Sequence, residues 1–402
     1  MSRHVDVAPW TMLGIAVVSQ IGASYIHQGL PALAPLLQAE WSLSRAELGV
    51  ILGAINVGVL LASAAAGHAV DRLGERPLLV AGPLGVAAAT TVGALSPGPL
   101  LLTLALAGAG LALGTCAPSG GKAMLVWFPP RVRGLAMGLR QTSIPLAGVI
   151  AAPTLPLLAL ALGWRGALVV SAGIGGLSAL LVAVVYHDPP GRGTVVPAHE
   201  HTGLAAMPAM LRDRSLLASI VLGPVLVAGQ WTVVPYLGLY LYERFGWSVT
   251  EAAVYLALAQ VGGVVGRIGW GLASDVLWGG RRKPALMLIP PVGALGALGL
   301  ASLSHTTAAW LVGALAVAMG ATVIGWNGLL LAYVAEQAGP HRAGTAIGLA
   351  VSIIFIGAVV YPPAFGWLVD RAGSYQPAWL ALAVILLGSL ALFPCMREVP
   401  RA

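Results

Sequence analysis

Charge is what this chain has least of. Only 9% of its 402 residues are charged, 21 Lys and Arg against 14 Asp and Glu, while 58% are hydrophobic and mean hydropathy is +0.88. Soluble domains carry about a quarter charged residues, and so few charges cannot coat the two or three domains that this length would otherwise form. The composition therefore excludes an ordinary water-soluble enzyme. Cysteine is nearly absent: Cys116 and Cys395 lie far apart in apolar runs, which leaves neither a disulfide framework nor a metal spacing. His-Glu-x-x-His, Gly-x-Ser-x-Gly and a pair of intramembrane aspartates are all missing, so metal, serine and aspartyl hydrolase chemistry lack their parts and no cofactor is expected. The apolar runs do not alternate with polar residues, which argues against a membrane barrel.

What the chain has is long apolar runs. They predict helices over 8–38, 46–70, 77–96, 99–128, 133–161, 164–186, 215–243, 250–277, 284–303, 307–335, 342–369 and 377–397, each close to or above the ~20 residues that cross a bilayer core. The expected fold class is an all-α membrane protein of twelve transmembrane helices in two pseudo-symmetric six-helix bundles. Residues 1–186 and 215–402 form the bundles, and 187–214, the one long polar interval, forms a cytosolic linker. With a cytosolic N-terminus the inside loops hold Arg72, Arg76, Arg131, Arg133, Arg281 and Arg282 among others, and the outside loops only Arg45, Arg165, Arg244 and Arg371. This positive-inside bias predicts a multi-pass protein of the cell (plasma or inner) membrane with both termini cytosolic. It also accounts for the net charge of +7 without nucleic acid. The run opening near Ala8 continues as a full span, so no cleaved signal peptide is expected.

The halves repeat. Trp41-Ser-Leu-Ser returns as Trp247-Ser-Val-Thr, Gly67-His-Ala-Val-Asp71 as Gly271-Leu-Ala-Ser-Asp275, and Pro153 as Pro362. The stretch Gly67-His-Ala-Val-Asp71-Arg72-Leu-Gly74-Glu-Arg76 resembles the loop motif between helices 2 and 3 of the major facilitator superfamily, and Gly271 to Arg282 is its degenerate copy. That resemblance implies alternating access, with Asp71, Arg72, Arg76 and Asp275 in a cytosolic gate. The plainer alternative for these residues is topological anchoring at anionic lipid.

All fourteen acidic residues fall at helix ends or in loops, whereas Lys122, Arg140 and Arg267 lie about 10–13 Å inside the cytosolic boundary. Buried cations without buried acids point to an anionic substrate, since an unpaired intramembrane charge costs at least ~2.5–3.5 kcal/mol. Arg267, in Gly-Arg-Ile-Gly-Trp-Gly271, resembles the helix 8 arginine of monocarboxylate and oxalate–formate carriers, where it pairs with the substrate carboxylate. Snorkelling or a backbone carbonyl is the alternative partner for each cation. Ser119-Gly-Gly-Lys122 is superficially like a phosphate loop, but no strand precedes it and no Ser or Thr follows. The segment Trp127 to Gln141 is similar to bacterial organic-anion carriers, including cyanate- and monocarboxylate-like members.

His27 is the one histidine well inside a span and the remaining side chain that titrates near neutrality, or else a hydrogen-bonded core residue. Tyr25 beside it, Gln141, Gln230 and Trp231 on helix 7, and Asn327 on helix 10 complete the candidate substrate site. The expected function is transport of a small organic anion together with a proton by a functional monomer in the lipid bilayer. An anion exchanger and a drug or metabolite exporter of the same fold are the alternatives.

Overall fold

The computed structural model describes residues 9–128, 130–187, 210, 212–304, 306–338 and 343–398, and among these all regular structure is helical. Helix α1 comprises Pro9–Gly29, a 3-10 turn Leu30–Leu33 and Ala34–Trp41; α2 is Arg45–Leu73, α3 Glu75–Ala94, and α4 Pro99–Leu113 with Cys116–Trp127. Pro130–Gln141 opens α5, and Ser143–Val185 holds the rest of α5 and all of α6, the chain reversing at Gly163, whose φ of 72° suits a residue without Cβ. In the second half α7 is Arg214–Phe245, α8 Val249–Leu277, α9 Arg282–Ser302, and α10 Ala309–Met319, a π turn Gly320–Ile324 and Asn327–Ala338. Ala343–Ala372 is α11, and Gln376–Gly388 with the 3-10 turn Ser389–Cys395 is α12. Ten described stretches are long and apolar enough to cross a bilayer. The longest, Ala136–Val185, crosses twice because of Gly163, and the more polar α1 supplies the remaining helix. The interval 187–214 lies mostly outside the described residues.

The repeat is tighter in space than in the tryptophans. Ser44 caps α2 and Ser248 caps α8, each in a capping box closed by Glu47 and Glu251. These caps stand 204 residues apart, as do Gly67 and Gly271, so α2 and α8 match along their whole length, while Trp41 and Trp247 are offset by two. Packing repeats too. A Cβ at Gly58 or Gly110 would collide with the carbonyl oxygens of Ala107 and Ile55, where α2 lies on α4; Gly262 and Gly320 stand likewise against Val317 and Ala259, where α8 lies on α10. Helices in lipid gain nothing from hiding apolar surface from one another, so close backbone approach at small residues is what joins them.

Two seams join the halves, α2 against α11 and α5 against α8, and the Leu30–Leu33 turn of α1 rests on α7 and α8. Large apolar side chains such as Leu160 and Leu295 point outward, where lipid would lie.

Candidate functional site

The α5–α8 seam is built on a proline. Pro145 has no N–H, so the Gln141 carbonyl four residues earlier loses its helical donor, and the helix breaks at Thr142. Arg267 of α8 fills the vacancy: its Nη1 donates to the Gln141 oxygen at 2.7 Å. The neighbouring Arg140 is only 4% exposed and turns into its own half. Its Nη2 donates to Gln20 Oε1 at 2.9 Å and to the Cys116 carbonyl at 2.6 Å; Gln20 in turn donates to Ser24 at 2.9 Å. The guanidinium lies flat on Gly120, where any Cβ would overlap it. Gly120 of Ser119-Gly-Gly-Lys122 is thus explained by Arg140, not by a phosphate. Arg140 and Arg267 have no carboxylate partner among the described residues, and the Nε of each is buried without an acceptor there.

The α2–α11 seam uses the same device. Pro362 leaves the Ala358 carbonyl without a helical donor, and Asn56 of α2 supplies Nδ2 at 3.3 Å. A carbonyl only accepts, so the Asn56 amide must present its oxygen to His27, 3.0 Å from Nε2. His27 therefore donates through Nε2. Trp231 of α7 stacks on the imidazole, with centroids 4.9 Å apart and planes at 26°. One residue on, Gln28 accepts from Gln260 of α8 at 2.9 Å. Gln260 stands 204 residues from Asn56, so the two mid-helix amides are counterparts that both reach α1.

The other predicted residues bond within their own halves. Asn327 donates to Gln230 at 3.1 Å within the second half, and the Tyr25 hydroxyl lies 2.5 Å from Thr154 within the first. Lys122 donates at 2.8 Å to the Val70 carbonyl at the C-terminal end of α2, where the helix dipole favours a cation. Arg76 does the same for α6 through the Ala183 carbonyl at 2.9 Å. Asp275 accepts from Arg282 at 2.8 Å, and Arg282 also reaches Glu336 at 3.3 Å. The side chains of Asp71 and Arg72 lie outside the described residues.

Sequence reasoning missed the opposite end. Arg45, the first residue of α2, bonds Glu243 of α7 at 2.9 Å and Asp370 of α11 at 3.1 Å, across the two halves. Asp370 also accepts from the backbone N–H of Arg45 and Ala46 at 3.2 and 2.9 Å, so one carboxylate caps α2 and meets its dipole. Tyr375 donates to Glu243 at 2.7 Å. Burial, then the Glu243 charge, holds its phenol well above the usual tyrosine range, which keeps it a neutral donor. The Tyr236 hydroxyl completes the closure, 2.8 Å from the Arg45 carbonyl and 2.7 Å from that of Pro362. Above this network a recess of about 300 Å³ opens outward, lined by Tyr240, Arg244, Ser374 and Gln376. Arg45, directly after the capping serine, was the only signal, and it reads as a loop charge. The missed amides Gln20, Gln28, Asn56 and Gln260 were signalled by being polar inside apolar runs.

Comparison with known proteins agrees with this architecture. The Major Facilitator Superfamily profile matches residues 13–362. An uncharacterized MFS-type transporter of Mycobacterium tuberculosis is 29% identical over 98% of this chain and 86% of that protein. The probable sulfoacetate transporter SauU of Cupriavidus necator is 25% identical over 94% and 92%, and human monocarboxylate transporter 11 is 29% identical over 87% and 75%. Among solved structures, the D-xylose-proton symporter superposes with a TM-score of 0.75 at 16% identity, covering 97% of this chain and 98% of that one, which speaks for the fold. A helical membrane chain whose halves repeat and meet along two proline-marked seams, matched by this profile over most of its length, belongs to the major facilitator superfamily, and is a transporter and not an enzyme.

Proposed function

We propose that the chain carries a small organic anion of the monocarboxylate kind, together with a proton, by alternating access. The observation that carries this reading is the pair of guanidiniums, Arg140 buried within the first half and Arg267 spanning the α5–α8 seam, with no carboxylate partner among the described residues and with unmet Nε donors. A carboxylate or sulfonate supplies both the missing charge and a second acceptor. The names of two relatives, a probable sulfoacetate transporter and a monocarboxylate transporter, favour the same substrate class.

Gln20, Gln230 and Asn327 then orient the polar end of the substrate, while Trp231 and Tyr25 bound it. His27, buried between Asn56 and Trp231, is the proton carrier, with Nδ1 as the site of exchange. Asp71, Arg72, Arg76 and Asp275 belong to the cytosolic gate, and Lys122 acts through the end of α2. The protein works as a monomer in the cell membrane with both termini cytosolic, residues 1–186 and 215–402 being the rocking bundles and 187–214 their linker. In that orientation the Arg45–Glu243–Asp370 network is the outer gate, closed here.

The test is uptake into proteoliposomes of labelled lactate and sulfoacetate, set against a labelled lipophilic cation. Saturable uptake of either anion, driven by an inward proton gradient into vesicles with no internal anion, is expected. Uptake of the cation alone would overturn the anion reading, and strict dependence on preloaded counter-anion would replace symport by exchange.

A further inference from the structure

We propose that the Gln141 carbonyl occupies Arg267 in place of the substrate, so that the incoming anion and the α5–α8 seam compete for one guanidinium. The inference rests on the reading of Arg267 as an anion-binding residue and adds a reason for binding to move the halves.

Three observations carry it. Pro145 strips the Gln141 oxygen of its helical donor in the interior of a membrane protein, where no backbone group goes unmet without cost. The donor that meets it comes from the opposite half, and it is a charge. A neutral carbonyl takes one arm of the Arg267 fork, while Nε stays buried with no acceptor among the described residues. A carboxylate offers two oxygens and a negative charge to the same fork, so it displaces the carbonyl. When it does, α5 loses this polar tie to α8 where the two helices are in contact: a Cβ at Gly148 would overlap the Gln260 side chain, and one at Gly263 would lie 3.7 Å from Pro145 Cβ.

The other seam is built to be indifferent. There the proline-freed carbonyl, that of Ala358, is met by the neutral amide of Asn56, which an anion has no reason to take. Pro145 is thus a positioning residue for Arg267, acting through a missing N–H. Linkage then makes a firm demand: whatever satisfies the Gln141 oxygen by other means frees Arg267, tightens anion binding and loosens the seam without ligand.

Pro145→Ala restores that N–H. The full chain, with Cys116→Ala and Cys395→Ser, is purified into nanodiscs and spin-labelled at Leu139 of α5 and Leu272 of α8, both exposed. Equilibrium binding of lactate and sulfoacetate is measured beside the label-to-label distance. Pro145→Ala should bind the better probe about tenfold tighter, equivalent to about 1.4 kcal/mol, and without ligand should show the distance distribution that the parent reaches only with anion. Pro153→Ala, which restores an N–H elsewhere on α5, should match the parent in both. Equal affinity and an unchanged ligand-free distribution in Pro145→Ala would overturn the proposal. If the parent binds neither probe, the anion reading fails, and the ligand-free distances still decide whether Pro145 governs the seam. Pro145→Gly restores the same donor and serves if Pro145→Ala does not fold.

Discussion

Arg45→Gln should open the end of the molecule that the structure shows closed. The side chain makes two cross-half ion pairs, at 2.9 Å with Glu243 and 3.1 Å with Asp370, and the three side chains are 31%, 18% and 25% exposed. Fully exposed pairs contribute about 0.2–1 kcal/mol and hydrogen bonds to charged groups up to about 3; partial solvent access puts the pair of contacts near 1–2 kcal/mol together. Part of the tie survives, because Asp370 still caps α2 through the N–H of residues 45 and 46. A change of 1–2 kcal/mol multiplies the open population roughly 5–30-fold. The assay is the rate at which a membrane-impermeant maleimide modifies Ala358→Cys, a position that is 0% exposed beneath the closure, in a background without Cys116 and Cys395. The rate should rise by that factor in Arg45→Gln. A rate within twofold of the parent would show that the ion network seals nothing.

Other outcomes follow from the same contacts. Gly110→Ala and its counterpart Gly320→Ala push a methyl into the Ile55 and Ala259 carbonyls and should each destabilise the fold by about 1–3 kcal/mol, read as a lower thermal midpoint in detergent. Gly120→Ala should drive the Arg140 guanidinium off its shelf and weaken anion binding about as much as Arg140→Ala while leaving the thermal midpoint within a few degrees; unchanged binding would detach Arg140 from the site. His27→Ala should abolish proton-driven accumulation and keep anion counterflow. Intact accumulation would remove His27 as the proton carrier.

The spans were legible because a bilayer demands about 20 apolar residues whatever the tertiary structure, and each expected helix is found within a few residues of its ends. Arg140 was legible as a charge inside an apolar helix, and the structure buries it. Direction around the helix was not. Lys122 and Arg267 count to similar depths in the sequence, yet one reaches the end of α2 and the other crosses to α5, and counting residues from a boundary says nothing of direction. A proline inside a helix also names the carbonyl four residues before it; for Pro145 and Pro362 these are Gln141 and Ala358, the acceptors at the two seams. Arg45 was beyond reach, since only the meeting of three helix ends, distant in sequence, turns a loop charge into a gate.

Whether Arg267 holds the anion is tested most directly by equilibrium binding to Arg267→Lys and Arg267→Ala. Lysine keeps the charge and loses the fork. Lactate or sulfoacetate binding measured on the purified chain should weaken about tenfold or more in Arg267→Lys and fall below detection in Arg267→Ala, with both variants monodisperse. Wild-type affinity in Arg267→Ala would show that Arg267 does not hold the anion.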